Sequence, residues 1–192
     1  MKFPEIDNAD GREWFTVFIF SENTAGVLNQ VTNVFTRRQI NIESLNVSPS
    51  GIKDIHRYTV TCLSDEETMK KTVKQIEKKI DVVQARFFRE DDIYIMEQGL
   101  YKISTPVLLE NHNISKTIRQ YGAKIVEVNA TYSIVSLEGL PTDIRAVYAA
   151  LKEAGSLLQF VSSGIVAVTK SPRERLTEFL ELRKMQEDDT KE

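Results

Sequence analysis

A nearly uninterrupted apolar run, Trp14-Phe15-Thr16-Val17-Phe18-Ile19-Phe20, leads directly into the polar loop Glu22-Asn23-Thr24-Ala25-Gly26. A run that does not alternate suits a central strand covered on both faces. Beyond the loop, Val27, Leu28, Val31, Val34 and Phe35 recur at helical spacing along one face. A glycine-relaxed loop between strand exit and helix start sets free N–H groups where a small carboxylate can be held. Asn41, after a short return, supplies a second amide toward the same place. Without a ligand, Asn23 or Thr24 would serve as the helix cap and Gly26 would only ease a tight turn. The second amide turns the reading toward amino-acid sensing.

The pattern that follows completes one unit. Arg37 and Arg38 close the helix with charge that complements its dipole. Asn41 to Val47 reads as a strand, and Ser48-Pro49-Ser50-Gly51 as the turn after it. Ile55 to Leu63 is the next strand, with Tyr58, Val60 and Cys62 on one face. Ser64 with Glu67 fits a capping box, opening a helix whose apolar stripe is Met69, Val73, Ile76 and Ile80. Val82 to Phe88 supplies a fourth strand. The order is βαββαβ, the ferredoxin-like arrangement.

After the charged break Arg89-Glu90-Asp91-Asp92, the pattern starts again. Leu100 to Ser104 reads as a strand that reaches back toward Ile93. A helix carries Ile114, Ile118 and Tyr121; Asn113 and Thr105-Pro106 both fit its start, and Gly122 stops it. Lys124 to Ala130 and Tyr132 to Leu137 alternate as strands. Pro141 opens a helix lined by Ile144, Val147, Tyr148 and Leu151, and Leu157 to Val168 is the last strand, interrupted at Ser162-Ser163-Gly164. The expectation is an α+β chain with two tandem ferredoxin-like βαββαβ domains, 12–90 and 91–170, then a charged C-terminal helix or tail, 171–192.

Composition narrows the function classes. A net charge of -3 and a pI near 5.6 disfavour a general polyanion binder. The lysines at 70, 71, 74, 78 and 79 read as a solvated helix face rather than a nucleic-acid patch. Cys62 is the only cysteine, which rules out an internal disulfide, and His56 and His112 fall in different units with no metal-ligand spacing. No apolar run approaches the roughly 20 residues of a membrane span, and the acidic N-terminus is unlike a secretory signal, so a cytoplasmic location is expected. No phosphate-binding or nucleophile motif occurs, and no catalytic or metal-binding residue is assigned. Two other proteins of this topology fail at the site. An RNA-recognition domain needs stacking aromatics where Ile55 to Thr61 carries one, and an acylphosphatase needs an arginine where the loop has Glu22.

Three segments, Glu22 to Leu28, Phe35 to Arg38 and Asn41 to Pro49, resemble the small regulatory subunit of acetolactate synthase, with the first unit as its ACT domain. Leu100 to Ile103, Lys124 to Val128, Leu137 to Gly139 and Ser163 to Val168 resemble that family's C-terminal domain. The resemblance implies a non-catalytic subunit that activates a large catalytic subunit, the one that condenses two pyruvates to acetolactate with loss of CO2. It also implies feedback by a branched-chain amino acid, usually valine, in valine, leucine and isoleucine synthesis. Thiamine diphosphate, Mg2+ and FAD would belong to the partner, and none to this chain. ACT domains of the family pair as homodimers, with the effector between them. Carried onto this sequence, Asn23, Ala25, Gly26, Val27 and Leu28 would face the amino acid, and Asn41 and Ile42 would complete the site from the other side. Family members commonly have a glycine and an aromatic before the Asn-Ile-Glu-Ser run, where this chain has Gln39 and Ile40. The alternative reading is a free-standing ACT-type amino-acid sensor acting on transcription or another enzyme.

Overall fold

The structure is a computed structural model and describes residues 11–171. The expectation for the C-terminal helix or tail therefore lies outside the described residues, apart from Ser171. Strand β1 (Glu13–Glu22) leads into helix α1 (Val27–Arg37), then strands β2 (Ile42–Pro49) and β3 (Ile55–Ser64), helix α2 (Glu66–Glu77) and strand β4 (Val82–Phe88). After a single 3-10 turn at Glu90–Asp92 come β5 (Ile93–Ser104), α3 (Thr105–Glu110), α4 (His112–Gln120), β6 (Lys124–Val128), β7 (Tyr132–Gly139), α5 (Pro141–Glu153) and β8 (Leu157–Thr169). The first sheet has the order β2-β3-β1-β4 and the second β6-β7-β5-β8, antiparallel throughout. These are two tandem ferredoxin-like units.

In each unit one sheet face is closed by helices. Phe15, Val17 and Ile19 of β1 pack with Val31, Phe35, Met69 and Ile76. In the second unit Tyr101 and Ile103 pack with Ile114, Ile118, Val147 and Leu151. The other face of β1, with Phe18 and Phe20, meets Ile93, Ile95, Ile165 and Ala167. Strands β5 and β8 therefore extend beyond their own helices as an arm that lies across the first sheet. That arm explains why both faces of β1 are apolar.

Several local expectations change. The α2 cap is Asp65, whose carboxylate accepts from Thr68 N–H at 2.8 Å. Ser64 remains in β3 opposite Glu13, so it cannot cap. Helix α2 stops at Glu77, and Ile80 stands 98% exposed in the turn toward β4, outside the apolar stripe. Pro49 pairs with His56, so β2 runs two residues into the expected turn before ending; an edge strand tolerates its missing N–H. Asn111, not Asn113, caps α4, accepting from Asn113 N–H at 3.0 Å. Thr105 opens the short helix α3, so both suggested starts correspond to helices. Among the described residues, no helix is long and apolar enough to cross a membrane.

Candidate functional site

The loop after β1 is fastened from both sides. Glu22 N–H donates to Asp81 O at 2.9 Å and Asn23 N–H to Asp54 O at 3.1 Å, tying it to the turns before β4 and β3. Gly26 takes φ 91°, a left-handed conformation that suits glycine, and stands immediately before α1. No side chain caps this helix and its first turn holds no acid. Neither Asn23 nor Thr24 therefore fills the cap role that a ligand-free explanation would give it. An acid from the turn before β4 stands close to this end, where Gln30 Nε2 donates to Asp81 Oδ2 at 3.4 Å. Asn23, Thr24, Ala25 and Gly26 are exposed, and Leu28 is 42% exposed. Val27 differs: the whole residue is 1% exposed within the core, and its N–H donates to Thr24 O at 3.4 Å.

Asn41 and Ile42 are not beside this loop within one chain. Ile42 pairs with Cys62, and Cys62 with Phe15, whereas the loop leaves β1 at Glu22 opposite Ile55. From Phe15 to Glu22 an extended strand covers roughly 23 Å. The cause is α1, whose 11 residues carry the chain back along β1 before β2 begins. The reading that both amides of a single chain reach one ligand is therefore corrected. The Asn41 amide donates instead to Glu43 Oε1 at 2.7 Å. Just before it, Gln39 holds φ 56° and Ile40 is buried, so the turn keeps a left-handed residue without having glycine there.

Sequence reasoning missed the seam between the two sheets. Asn46 Nδ2 donates to Ser163 O at 3.1 Å, and the Arg57 guanidinium donates to Ala167 O while lying 4.3 Å above the Phe18 ring. Gly164, at φ 70°, sits where a Cβ would come within 3.1 Å of Ser44 Cβ. The Ser162-Ser163-Gly164 interruption did carry a signal: the β5–β8 register shifts there, and the kink lets β8 approach β2. A cleft of about 990 Å³ lies at this seam among Phe18, Phe20, Phe87, Phe88 and Lys170, and no loop residue from 22 to 28 lines it.

No group of three or more His, Cys, Asp or Glu side chains among the described residues could hold a metal ion. Burial first, and the Glu43 carboxylate second, push the Cys62 thiol up to about 12, which keeps it protonated and unreactive. Lys70 and Lys71 are paired with Glu66 and Glu67 one turn earlier at 2.8 and 2.6 Å, as on an ordinary solvated helix face.

The fold thus defines a class: two ferredoxin-like domains in tandem, the first of ACT type. Residues 18–84 match the model of the AHAS small subunit-like ACT domain, and residues 96–171 that of the small subunit of acetolactate synthase. The acetolactate synthase small subunit of Mycolicibacterium smegmatis is 27% identical over 165 residues, covering 86% of this chain and 96% of the relative. The isozyme 3 small subunit of Escherichia coli is 24% identical over 155 residues, 81% and 94% of the two chains. The crystal structure of the Thermotoga maritima small subunit superposes with a TM-score of 0.76 at 23% identity, covering 84% and 99%, and shares the fold. The chain belongs to the acetolactate synthase small-subunit family.

Proposed function

We propose that this chain is the cytoplasmic regulatory subunit of acetolactate synthase. It activates a large catalytic subunit that condenses two pyruvates to 2-acetolactate and CO2, and it confers feedback by valine. Thiamine diphosphate, Mg2+ and FAD belong to that partner. The observation that carries the reading is the N-terminus of α1 at the exit of β1, which no side chain caps and which the exposed residues 23–26 lead into, on the first domain of a chain in this family.

The effector site is completed by a homodimer. Among the described residues, β2 pairs only with β3 and its outer edge is unpaired. Two copies joined antiparallel along β2 would bring Asn41 and Ile42 of one beside Pro49 of the other. Pro49 pairs with His56, which pairs with Ser21, at the end of the sheet where the loop emerges. Asn23, Ala25, Gly26, Val27 and Leu28 of one copy then face the amino acid, and the other copy contributes Asn41 and Ile42. The 23 Å gap within one chain becomes a short step across the twofold axis.

Valine acts only by binding the active and inhibited arrangements unequally. A coupling of roughly 1–3 kcal/mol gives strong feedback. The test is reconstitution with the catalytic subunit, following acetolactate formation with and without valine. Activation by this chain and inhibition by valine are expected, with Asn23→Ala blunting the inhibition and keeping the activation. Absence of activation overturns the proposal. Activation that valine leaves untouched overturns the feedback part alone.

A further inference from the structure

The cleft at the seam reaches the last described residue of the chain. It measures about 990 Å³ and is lined by Phe18, Phe20 and Phe88 together with Arg86, Asp91 and Ser171. Phe87 and Phe88, which also line it, are only half-buried, although each packs on an apolar cluster. Lys170 fixes where the chain leaves. Its N–H donates to Asp92 O at 3.0 Å and its Nζ to Asp91 O at 2.9 Å, which holds Ser171 at the cleft wall.

We propose that residues 172–183 of the same chain seat in this cleft as an amphipathic helix, a strap over the seam between the two domains. The match to the family's C-terminal domain ends at residue 171, so the segment is an addition to the two matched domains. Its sequence carries a helix-start signal. Ser171 with Glu174 fits a capping box, and Pro172 suits the first helical position. At helical spacing Leu176, Phe179 and Leu180 fall on one face, and Glu174, Glu178 and Glu181 on the opposite one. Arg173 and Arg175 flank the apolar stripe at its first turn, beside the exposed Asp91 and Asp92 of the cleft.

Length agrees with this seating. A helix over residues 172–183 spans roughly 18 Å, and β4 from Gln84 to Phe88 covers roughly 13 Å of the cleft. So short a helix is marginal alone in water and gains its stability by laying its apolar stripe on a surface. The cleft offers that surface at the segment's own first residue. Residues 1–10 are a poorer occupant, because neither Gly11 nor Arg12 lines the cleft.

Paired cysteines test the seating in the full chain, where the native Cys62 is buried. Arg86→Cys with Leu180→Cys is expected to close an intrachain disulfide under copper–phenanthroline, mapped by mass spectrometry of tryptic peptides. Val126→Cys, 58% exposed on β6 at the far edge of the second sheet, is expected to form none with Leu180→Cys. In a second measurement the Arg86→Cys thiol reacts with a maleimide in chains with and without Leu176→Asp and Phe179→Asp. The two aspartates should quicken labelling about tenfold, as expected if the segment covers the cleft about 90% of the time.

A disulfide that forms only between copies overturns the proposal, since the strap would then come from a neighbour. A link that forms with Phe3→Cys and not with Leu180→Cys gives the cleft to residues 1–10 and overturns it as well. An unchanged labelling rate does so even if the paired variant fails to fold. Neither assay involves the catalytic subunit or valine, so the regulatory reading stands or falls separately.

Discussion

Gly99 is the position where one added carbon should do the most measurable harm. A Cβ there would lie 2.8 Å from the Tyr101 hydroxyl, 3.0 Å from Tyr101 Cζ and 3.1 Å from Ile144 Cγ2. Tyr101 has little room to retreat. It is fully buried, its hydroxyl donates to Ile144 O at 2.7 Å, and its ring lies 5.0 Å from that of Phe160. Gly99→Ala must therefore overpack the site, at about 1–3 kcal/mol. It must also strain or break a buried hydrogen bond, at about 1–3 kcal/mol more. A total loss of about 2–6 kcal/mol is expected in urea unfolding followed by circular dichroism. Tyr101→Phe alone should cost about 1 kcal/mol. It also removes the atom nearest the new methyl, so Gly99→Ala should be milder in that background. A coupling of about 1–3 kcal/mol between the two changes is expected. If their effects simply add, to within about 0.5 kcal/mol, the hydroxyl is not what the glycine makes room for, and the reasoning fails.

Three shorter predictions concern the first domain and the seam. Arg57→Met removes both the bond to Ala167 O and the stacking over Phe18, and should cost about 2–4 kcal/mol. Hydrogen exchange should quicken at residues 163–168 and stay unchanged in α1; equal quickening of α1 would mean that Arg57 supports the whole domain. Gln39→Gly relieves a left-handed glutamine worth about 1–2 kcal/mol, offset by about 0.5–1 kcal/mol of added unfolded-state freedom. A net gain near 0.5 kcal/mol is expected by thermal unfolding, and a loss would contradict the assigned turn. The Cys62 thiol is pushed up to about 12, so folding favours its protonated form. That contribution to stability is complete below the ordinary thiol range and declines as pH rises past it toward 12. A disulfide reagent at pH 8 should leave the native thiol intact and react with it once urea unfolds the chain.

Much of the fold is legible along the chain because each unit satisfies its own local rules. The unbroken apolar run of β1, the spacing of Val31, Val34 and Phe35, Pro141 at the start of α5 and Gly122 after α4 each reflect a short-range constraint. The misses cluster where a neighbouring strand overrides the local signal. Ser64 looks like a cap until β1 holds it in the ladder, and Pro49 looks like a turn until His56 pairs with it. The site was half legible. The loop and its glycine could be read from residue types alone. The opposite position of Asn41 could not, because it depends on how far α1 carries the chain back along β1.

The sequence by itself determined the order of elements, the tandem repetition and the family, since all three reside in spacing and residue identity over short windows. Tertiary structure decided how the two units meet. The register of β5 against β8 sends an arm across the first sheet, buries Phe18 and Phe20 beneath it and leaves Tyr94, Val166 and Val168 facing outward. That outcome depends on contacts between residues more than a hundred positions apart, such as Asn46 with Ser163 and Arg57 with Ala167. No local periodicity records such contacts, because the free energy that selects them is gained only when both sheets are already formed.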